Sequence, residues 1–103
     1  MAFQSGPFEA ALAAAAGDDG ALHGELRAGF LEGAERQLDL MHRARCDANW
    51  QMAARRLHAL AGGFHATQLM AFAEQARSGA PGDPSIMREI SAHLDEIGGR
   101  VNR

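Results

Sequence analysis

Apolar residues recur every three or four positions along most of the chain, which is the period of an amphipathic α-helix. The longest such stripe comprises Leu22, Leu26, Phe30, Ala34, Leu38 and Met41. Polar or helix-breaking clusters interrupt the pattern at residues 17–20, 45–49 and 78–84. The pattern therefore predicts helices over about residues 7–16, 21–44, 50–64, 66–77 and 84–97.

The residues at the breaks supply start signals for these helices. One of the two aspartates at 18–19 can cap the second helix, and Asn49 or Asp47 can cap the third. Asp83 followed by Pro84 is a strong start for the last helix, because proline suits the first helical position. The breaks are short, so successive helices are expected to pack side by side.

The remaining stripes are also expected to face inward. They are Trp50, Ala53, Leu57, Leu60 and Phe64 in the third helix, Leu69, Phe72, Ala73 and Ala76 in the fourth, and Met87, Ile90, Leu94, Ile97 and Val101 in the last. Gly24, Gly29 and Gly33 interrupt the long second helix, either because a neighbouring helix approaches them closely or because glycine is tolerated there at the surface. The predicted fold is all-α: one domain over residues 1–103, an antiparallel four-helix bundle with a short additional N-terminal helix, and loose termini at 1–6 and 98–103.

Composition agrees with a helical fold and narrows the function. Hydrophobic residues make up 47% of the chain, much of that share is alanine, and aromatic residues are sparse. The formal net charge is −3 and every basic residue is arginine, which gives no support to nucleic-acid binding. A lone cysteine, Cys46, excludes an internal disulfide framework. Without a charged leader or a long apolar run, we expect no membrane association and a cytoplasmic location.

His58 stands out on the third helix. Residues three, four and seven positions from it share its face: Gln51, Ala54, Arg55, Ala61, Gly62 and His65. This strip lies beside the apolar stripe of the same helix, so we predict a partly exposed imidazole flanked by small residues that leave room for a second protein. The alternative is a structural histidine that bonds to a neighbouring group at the edge of the core.

An accessible imidazole can carry a phosphoryl group. With an ordinary pKa of about 6.5, much of it is neutral at pH 7 and offers a free lone pair to phosphorus. Arg55, one turn earlier, is the candidate to pair with phosphoryl oxygens. No cysteine or carboxylate joins His58 and His65 in a metal-binding spacing, so no metal site is predicted.

His58, Leu60 and Gly62 have the H-x-L-x-G spacing found in histidine phosphotransfer (HPt) domains. The segment "FLEGAERQLDLMHRARCDANWQMAARRLHALAGG", residues 30–63, resembles the helix–turn–helix that leads to the phosphorylated histidine of that family. The resemblance covers residues 21–97, and residues 8–16 correspond to the short leading helix of the family.

The resemblance implies a phosphocarrier with little catalysis of its own. His58 would be the phospho-acceptor and Gly62 the small residue that admits a receiver domain. The implied partners are receiver domains of response regulators, with a hybrid histidine kinase as a further candidate; the receiver would supply magnesium, and the chain would need no cofactor of its own. A complete small bundle of this kind suggests a monomer.

A second function remains open, a helical adaptor that binds a receiver or another regulator without carrying phosphate. The family commonly has a lysine three residues after the histidine, and this chain has Ala61 there. The other histidines and the methionines are not expected to take part in the function. His23, His42 and His93 are expected at the solvated surface, and the methionines Met41, Met52, Met70 and Met87 are expected to fill the core.

Overall fold

The computed structural model describes residues 6–99, and within them helices joined by short turns are the only regular secondary structure. The five helices are α1 (Gly6–Ala16), α2 (Gly20–Arg43), α3 (Asp47–Gly63), α4 (Thr67–Ser78) and α5 (Pro84–Gly98). None of them combines the length and the apolar character that crossing a lipid bilayer requires. Of the predicted loose ends at 1–6 and 98–103, residues 1–5 and 100–103, which include Val101, lie outside the described residues. Gly6 and Gly98 do not belong to loose ends, because Gly6 is part of α1 and Gly98 is part of α5.

Two of the predicted helix starts are confirmed. The Asp19 carboxylate accepts a hydrogen bond from the backbone N–H of Leu22 at 3.0 Å, and the Asp83 carboxylate accepts one from Ser85 at 2.9 Å. The predicted start of α3 is wrong. That helix begins at Asp47, with Cys46 in the capping position and no side-chain hydrogen bond to the first turn.

Four helices contact one another in a closed order. α2 packs on α3, α3 on α4, α4 on α5, and α5 returns to α2, while α1 packs on α2. The side chains at the centre come from all five helices, and the largest fully buried ones are Trp50, Phe30, Leu12, Met41, Leu57, Leu69, Ile90 and Leu94. The predicted inward stripes of α2, α4 and α5 therefore do supply the core.

α3 and α4 run antiparallel in close contact. At one end, the indole Nε1–H of Trp50 donates a hydrogen bond to the backbone oxygen of Ala76 at 2.9 Å. At the other end, a Cβ added to Gly62 would lie 3.8 Å from Cε of Met70. Ala73, between these two points on α4, is fully buried. Small side chains thus let the two backbones approach each other.

The helix α1 is attached by apolar and ionic contacts. Its Phe8 and Leu12 are buried, and the Phe8 ring lies 4.8 Å, centroid to centroid, from that of Phe30 on α2. The Phe30 ring in turn lies 5.0 Å from that of Phe64, at the end of α3. Three aromatic rings therefore join α1, α2 and the end of α3.

The glycines of α2 differ in their surroundings. A Cβ added at Gly33 would lie 3.1 Å from Cδ2 of Leu60, so α3 does approach this position closely, in line with the first alternative. Added Cβ atoms at Gly24 and Gly29 would meet no described atom within 4 Å, so these two are the surface glycines of the other alternative. The packing of the helices would therefore also accommodate a side chain at these two positions.

Two predicted side-chain positions are also corrected. Met52, expected in the core, is 44% exposed. His93, expected at the surface, is only 6% exposed and contacts the ring of Phe72 edge-on, with 5.6 Å between the ring centroids. Both errors concern positions at the border of an apolar stripe, where a small rotation of the helix decides which side chain is covered.

Candidate functional site

The imidazole of His58 lies in the middle of α3 and is partly exposed, as the helical strip predicts. No hydrogen bond or ion pair joins it to another residue of the described part of the chain. Neither of its ring nitrogens is among the buried polar atoms that lack a partner. The ring is therefore not held inside the core, and a nitrogen lone pair can face solvent.

Arg55, one helical turn before His58, is exposed on the same helix. Its guanidinium makes no ion pair with any carboxylate between residues 6 and 99. A guanidinium that is not already paired can turn toward an anion brought to the neighbouring imidazole. Its position on α3 and its lack of an ion-pair partner among residues 6–99 are both compatible with the predicted pairing of Arg55 with phosphoryl oxygens.

Gln51, two turns before His58, has a structural contact. Its side-chain Nε2–H donates a hydrogen bond to the backbone oxygen of Arg77, at the end of α4, at 2.8 Å. That oxygen belongs to the last turn of α4, where carbonyl groups lack partners within the helix. The predicted docking residue Gln51 therefore links α3 to α4.

The small residues around His58 are not all at the surface. Ala54 and Ala61, predicted to line the approach to the ring, are both 0% exposed and belong to the core. Their size serves the close packing of α3, and they offer no surface to a docking partner. Gly62 alone of the three is partly exposed. Of the three small residues predicted to give access to His58, only Gly62 therefore contributes to the surface beside the ring.

His65 does not continue the strip, because α3 ends at Gly63. Its backbone has φ of +55°, in the left-handed region, and its side chain is exposed. The N–H of His65 donates to the oxygen of Gly62 at 3.2 Å, and the N–H of Ala66 donates to the oxygen of Ala61 at 2.8 Å. These two bonds form a Schellman motif, in which His65 stands where glycine is usual.

The described part of the chain has no cluster of three or more histidine, cysteine, aspartate or glutamate side chains that could hold a metal ion. Cys46 is exposed at the start of α3 and far along the helix from His58. Chemically, the site offers one accessible nucleophile, one free guanidinium and a neighbouring glycine. Such a set can accept a group from a partner that brings its own metal and carboxylates.

Sequence reasoning missed two polar arrangements away from His58. Arg27 of α2 donates to both carboxylate oxygens of Glu9 of α1, and its Nη1 also lies 3.3 Å from the backbone oxygen of Ile97. Burial lowers the pKa of His93, although Glu96, with Oε1 3.6 Å from Nδ1, opposes this shift. Glu9 and Arg27 are far apart in the chain, and His93 lies at the edge of an apolar stripe. The spacing of apolar residues predicts neither the Glu9–Arg27 contact nor the burial of His93.

Searches of family models, of curated proteins and of solved structures each find no match to this chain.

Proposed function

We propose that this chain is a histidine phosphotransfer module, with α2–α5 as an antiparallel four-helix bundle and α1 as the additional N-terminal helix. The observation that carries the proposal is His58, a partly exposed imidazole within α3 that has no hydrogen-bond or ion-pair partner among residues 6–99. The H-x-L-x-G resemblance adds the class of partner, a receiver domain with a phosphorylated aspartate. As a relay component, the chain would act as a monomer in the cytoplasm.

The proposed step moves one phosphoryl group. The lone pair of a neutral His58 ring nitrogen attacks phosphorus of the aspartyl phosphate while the proton stays on the other ring nitrogen. An N–P bond forms, the P–O bond to the aspartate breaks, and the electron pair of that bond leaves with the aspartate as a free carboxylate. The reverse step passes the group to the aspartate of a second receiver. No oxidant or reductant is needed.

The surroundings of His58 assign the remaining tasks. Arg55 is an exposed cation one helical turn before the ring and on the same face of α3, and it would pair with phosphoryl oxygens in transit. Ala61, where the family commonly has a lysine, is buried, so that position adds no charge. Most of the charge neutralisation therefore falls to the magnesium ion and the side chains of the receiver, and transfer depends mainly on how the partner is positioned.

The same position favours a second candidate, an adaptor that binds a receiver without carrying phosphate. A buried alanine three residues after His58 leaves the imidazole without the cation that commonly assists it in the family. Such a protein would keep the bundle and the exposed glycine beside the ring. It would bind the receiver through shape and would compete with phosphotransfer proteins for it.

The deciding experiment incubates the chain with a phosphorylated receiver and magnesium. We expect a label on the chain that acid removes and base does not, the behaviour of a phosphohistidine. His58→Gln should abolish this label, and His65→Gln should retain it, because His65 is also an exposed histidine but lies outside α3. Mapping the label to another residue, or equal labelling of His58→Gln, would refute the relay.

Binding measurements distinguish the adaptor. If the chain binds a receiver tightly, is never labelled and binds equally well as His58→Gln, the adaptor is favoured. If binding is accompanied by label that disappears from the donor receiver and reappears on a second receiver, the relay is supported. Calorimetry with the same receivers used for labelling makes the two results directly comparable.

A further inference from the structure

A groove between the end of α2 and the start of α3 holds an unusual combination of side chains. Leu40 and Met52 are the large hydrophobic residues that remain exposed in the described part of the chain, at 40% and 44%. Both line this one groove, over a floor that includes the buried Ala53. Two exposed apolar side chains therefore lie in one depression that also has polar residues in its lining, whereas single exposed ones scattered over a surface would need no explanation.

The rim of this groove is positively charged. Arg43 and Arg56 line it, and no carboxylate among residues 6–99 does. Arg43 forms an ion pair with Asp39, with 2.9 Å between Nη2 and Oδ2, whereas Arg56 makes no ion pair within the described part of the chain. The whole chain has a formal net charge of −3, so this local excess of positive charge is opposite in sign to the molecule as a whole.

The groove is separate from the His58 site. Met52 precedes His58 by six positions on α3, and at 100° per residue their side chains leave the helix about 120° apart. The His58 face lies toward α4, and the groove lies toward α2. A partner could therefore occupy the groove whether or not a receiver is bound at His58, and the inference does not depend on phosphotransfer.

We propose that this groove binds an acidic amphipathic helix of another protein. Its apolar side chains would pack on Leu40 and Met52, and carboxylates beside them would pair with Arg43 and Arg56. Charge argues against a second copy of this chain as the occupant. A symmetric contact through the groove would bring the arginines of both copies together, and like charges at close range disfavour association.

The test uses a fluorescent helical peptide of about 15 residues with leucines on one face and glutamates beside them. A matched peptide has lysines in place of the glutamates. Each is titrated with the full chain and with three variants: Met52→Gln, Arg56→Gln and Arg55→Gln. Arg55 is the matched control, since it is an exposed arginine on the same helix, adjacent in sequence, and does not line the groove. Circular dichroism checks that each variant keeps its helices.

We expect the glutamate peptide to bind more tightly than the lysine peptide. Met52→Gln and Arg56→Gln should each weaken binding about fivefold or more, and Arg55→Gln should leave it unchanged. Backbone amide shifts in NMR should concentrate near Leu40, Ala44 and Met52. The proposal is overturned by equal binding of the two peptides, by no binding at millimolar concentration, or by equal loss in Arg55→Gln. Dimerisation that Met52→Gln abolishes would identify a second copy as the occupant and would overturn it as well.

Discussion

Arg27 on α2 holds the carboxylate of Glu9 on α1 with two hydrogen bonds, from Nη1 to Oε2 at 2.9 Å and from Nη2 to Oε1 at 2.6 Å. The guanidinium carbon also lies 5.7 Å from the centroid of the Phe8 ring. A planar guanidinium suits this paired geometry, and lysine could not reproduce it. One side chain of α2 therefore contacts both the polar and the apolar side of α1.

Glu9→Gln should destabilise the protein by about 0.5–1 kcal/mol, a modest value because water screens a partly exposed pair. The hydrogen bonds from Arg27, more than the charge itself, lower the pKa of Glu9. A lowered carboxyl pKa adds stability that is complete above the usual glutamate value, about 4.3, and is lost as the pH falls through the lowered pKa. Denaturant unfolding of both proteins from pH 7 to pH 3 measures this.

The control for this prediction is Asp39→Asn, which breaks the more exposed pair with Arg43. We expect it to cost no more than about 0.5 kcal/mol. Equal effects of the two substitutions, or a difference between wild type and Glu9→Gln that persists at pH 3, would show that α1 does not depend on the Arg27 contact.

The buried His93 should make the fold sensitive to mild acid. Burial lowers its pKa, and Glu96 only partly offsets this. Glu89 lines the shallow depression between α4 and α5 that His93 and Glu96 also line. Below the ordinary histidine value of about 6.5 the unfolded chain binds the proton more readily, so stability falls from there down to the lowered pKa of the native state. His93→Gln should remove this part of the loss between pH 7.5 and pH 5.5.

Denaturant midpoints at those two pH values test the assignment. His42→Gln, which changes an exposed histidine at the end of α2, should keep the wild-type pH dependence. If His93→Gln loses as much stability on acidification as the wild type, then protonation of another group is responsible.

His65→Gly should stabilise the protein by about 0.5–1 kcal/mol. The left-handed backbone at His65 is costly for a residue with a Cβ, and glycine adopts it freely. The same change at His42, inside the last turn of α2, should destabilise by up to about 1 kcal/mol. Thermal unfolding would thus move in opposite directions for the two variants, and a fall in Tm for His65→Gly would contradict the prediction.

Alanine in place of the glycines of α2 should separate tolerated positions from packed ones. Gly29→Ala meets no described atom and should gain about 0.5–1 kcal/mol from helix propensity. Gly33→Ala should gain less, because its Cβ would lie 3.1 Å from Cδ2 of Leu60 and that side chain must shift. Chemical denaturation of the two single variants provides the comparison; a larger gain at Gly33 would show that Leu60 moves without cost.

On the proposed relay function, Gly62→Gln should slow phosphotransfer and leave the fold intact. A Cβ added at Gly62 would make only ordinary van der Waals contact with Met70, and glutamine has a higher helix propensity than glycine. The longer side chain would obstruct a receiver approaching His58, and a misplaced phosphoryl group would reduce the rate on the order of tenfold to a hundredfold. The single-turnover rate of transfer should fall while Tm does not. An unchanged rate would indicate that the receiver approaches another side of the ring.

The helices were predictable from the sequence because apolar spacing and capping residues act locally. The stripe through Phe30 and Met41 and the Asp83–Pro84 start are both present in the structure. The start of α3 was not predictable, since no side chain caps it and Cys46 occupies that position without a hydrogen bond.

The candidate site was predictable only in part. The partial exposure of His58 follows from its place beside the stripe of α3. The burial of Ala54 and Ala61 does not, because alanine suits both a surface and a tight helix contact, and only the packing of the neighbouring helices decides between them. The Glu9–Arg27 contact joins two helices whose relative rotation no local pattern specifies.

The Trp50–Ala76 hydrogen bond also equips the protein with an optical probe. The chain contains one tryptophan and no tyrosine, and the indole is 1% exposed. Its tryptophan fluorescence therefore originates from a single point where α3 meets α4, with no tyrosine emission beside it. Separation of the two helices would shift the emission to longer wavelength. A receiver that docks without disturbing that junction would leave the emission unchanged, so one spectrum distinguishes rigid docking from opening of the helices.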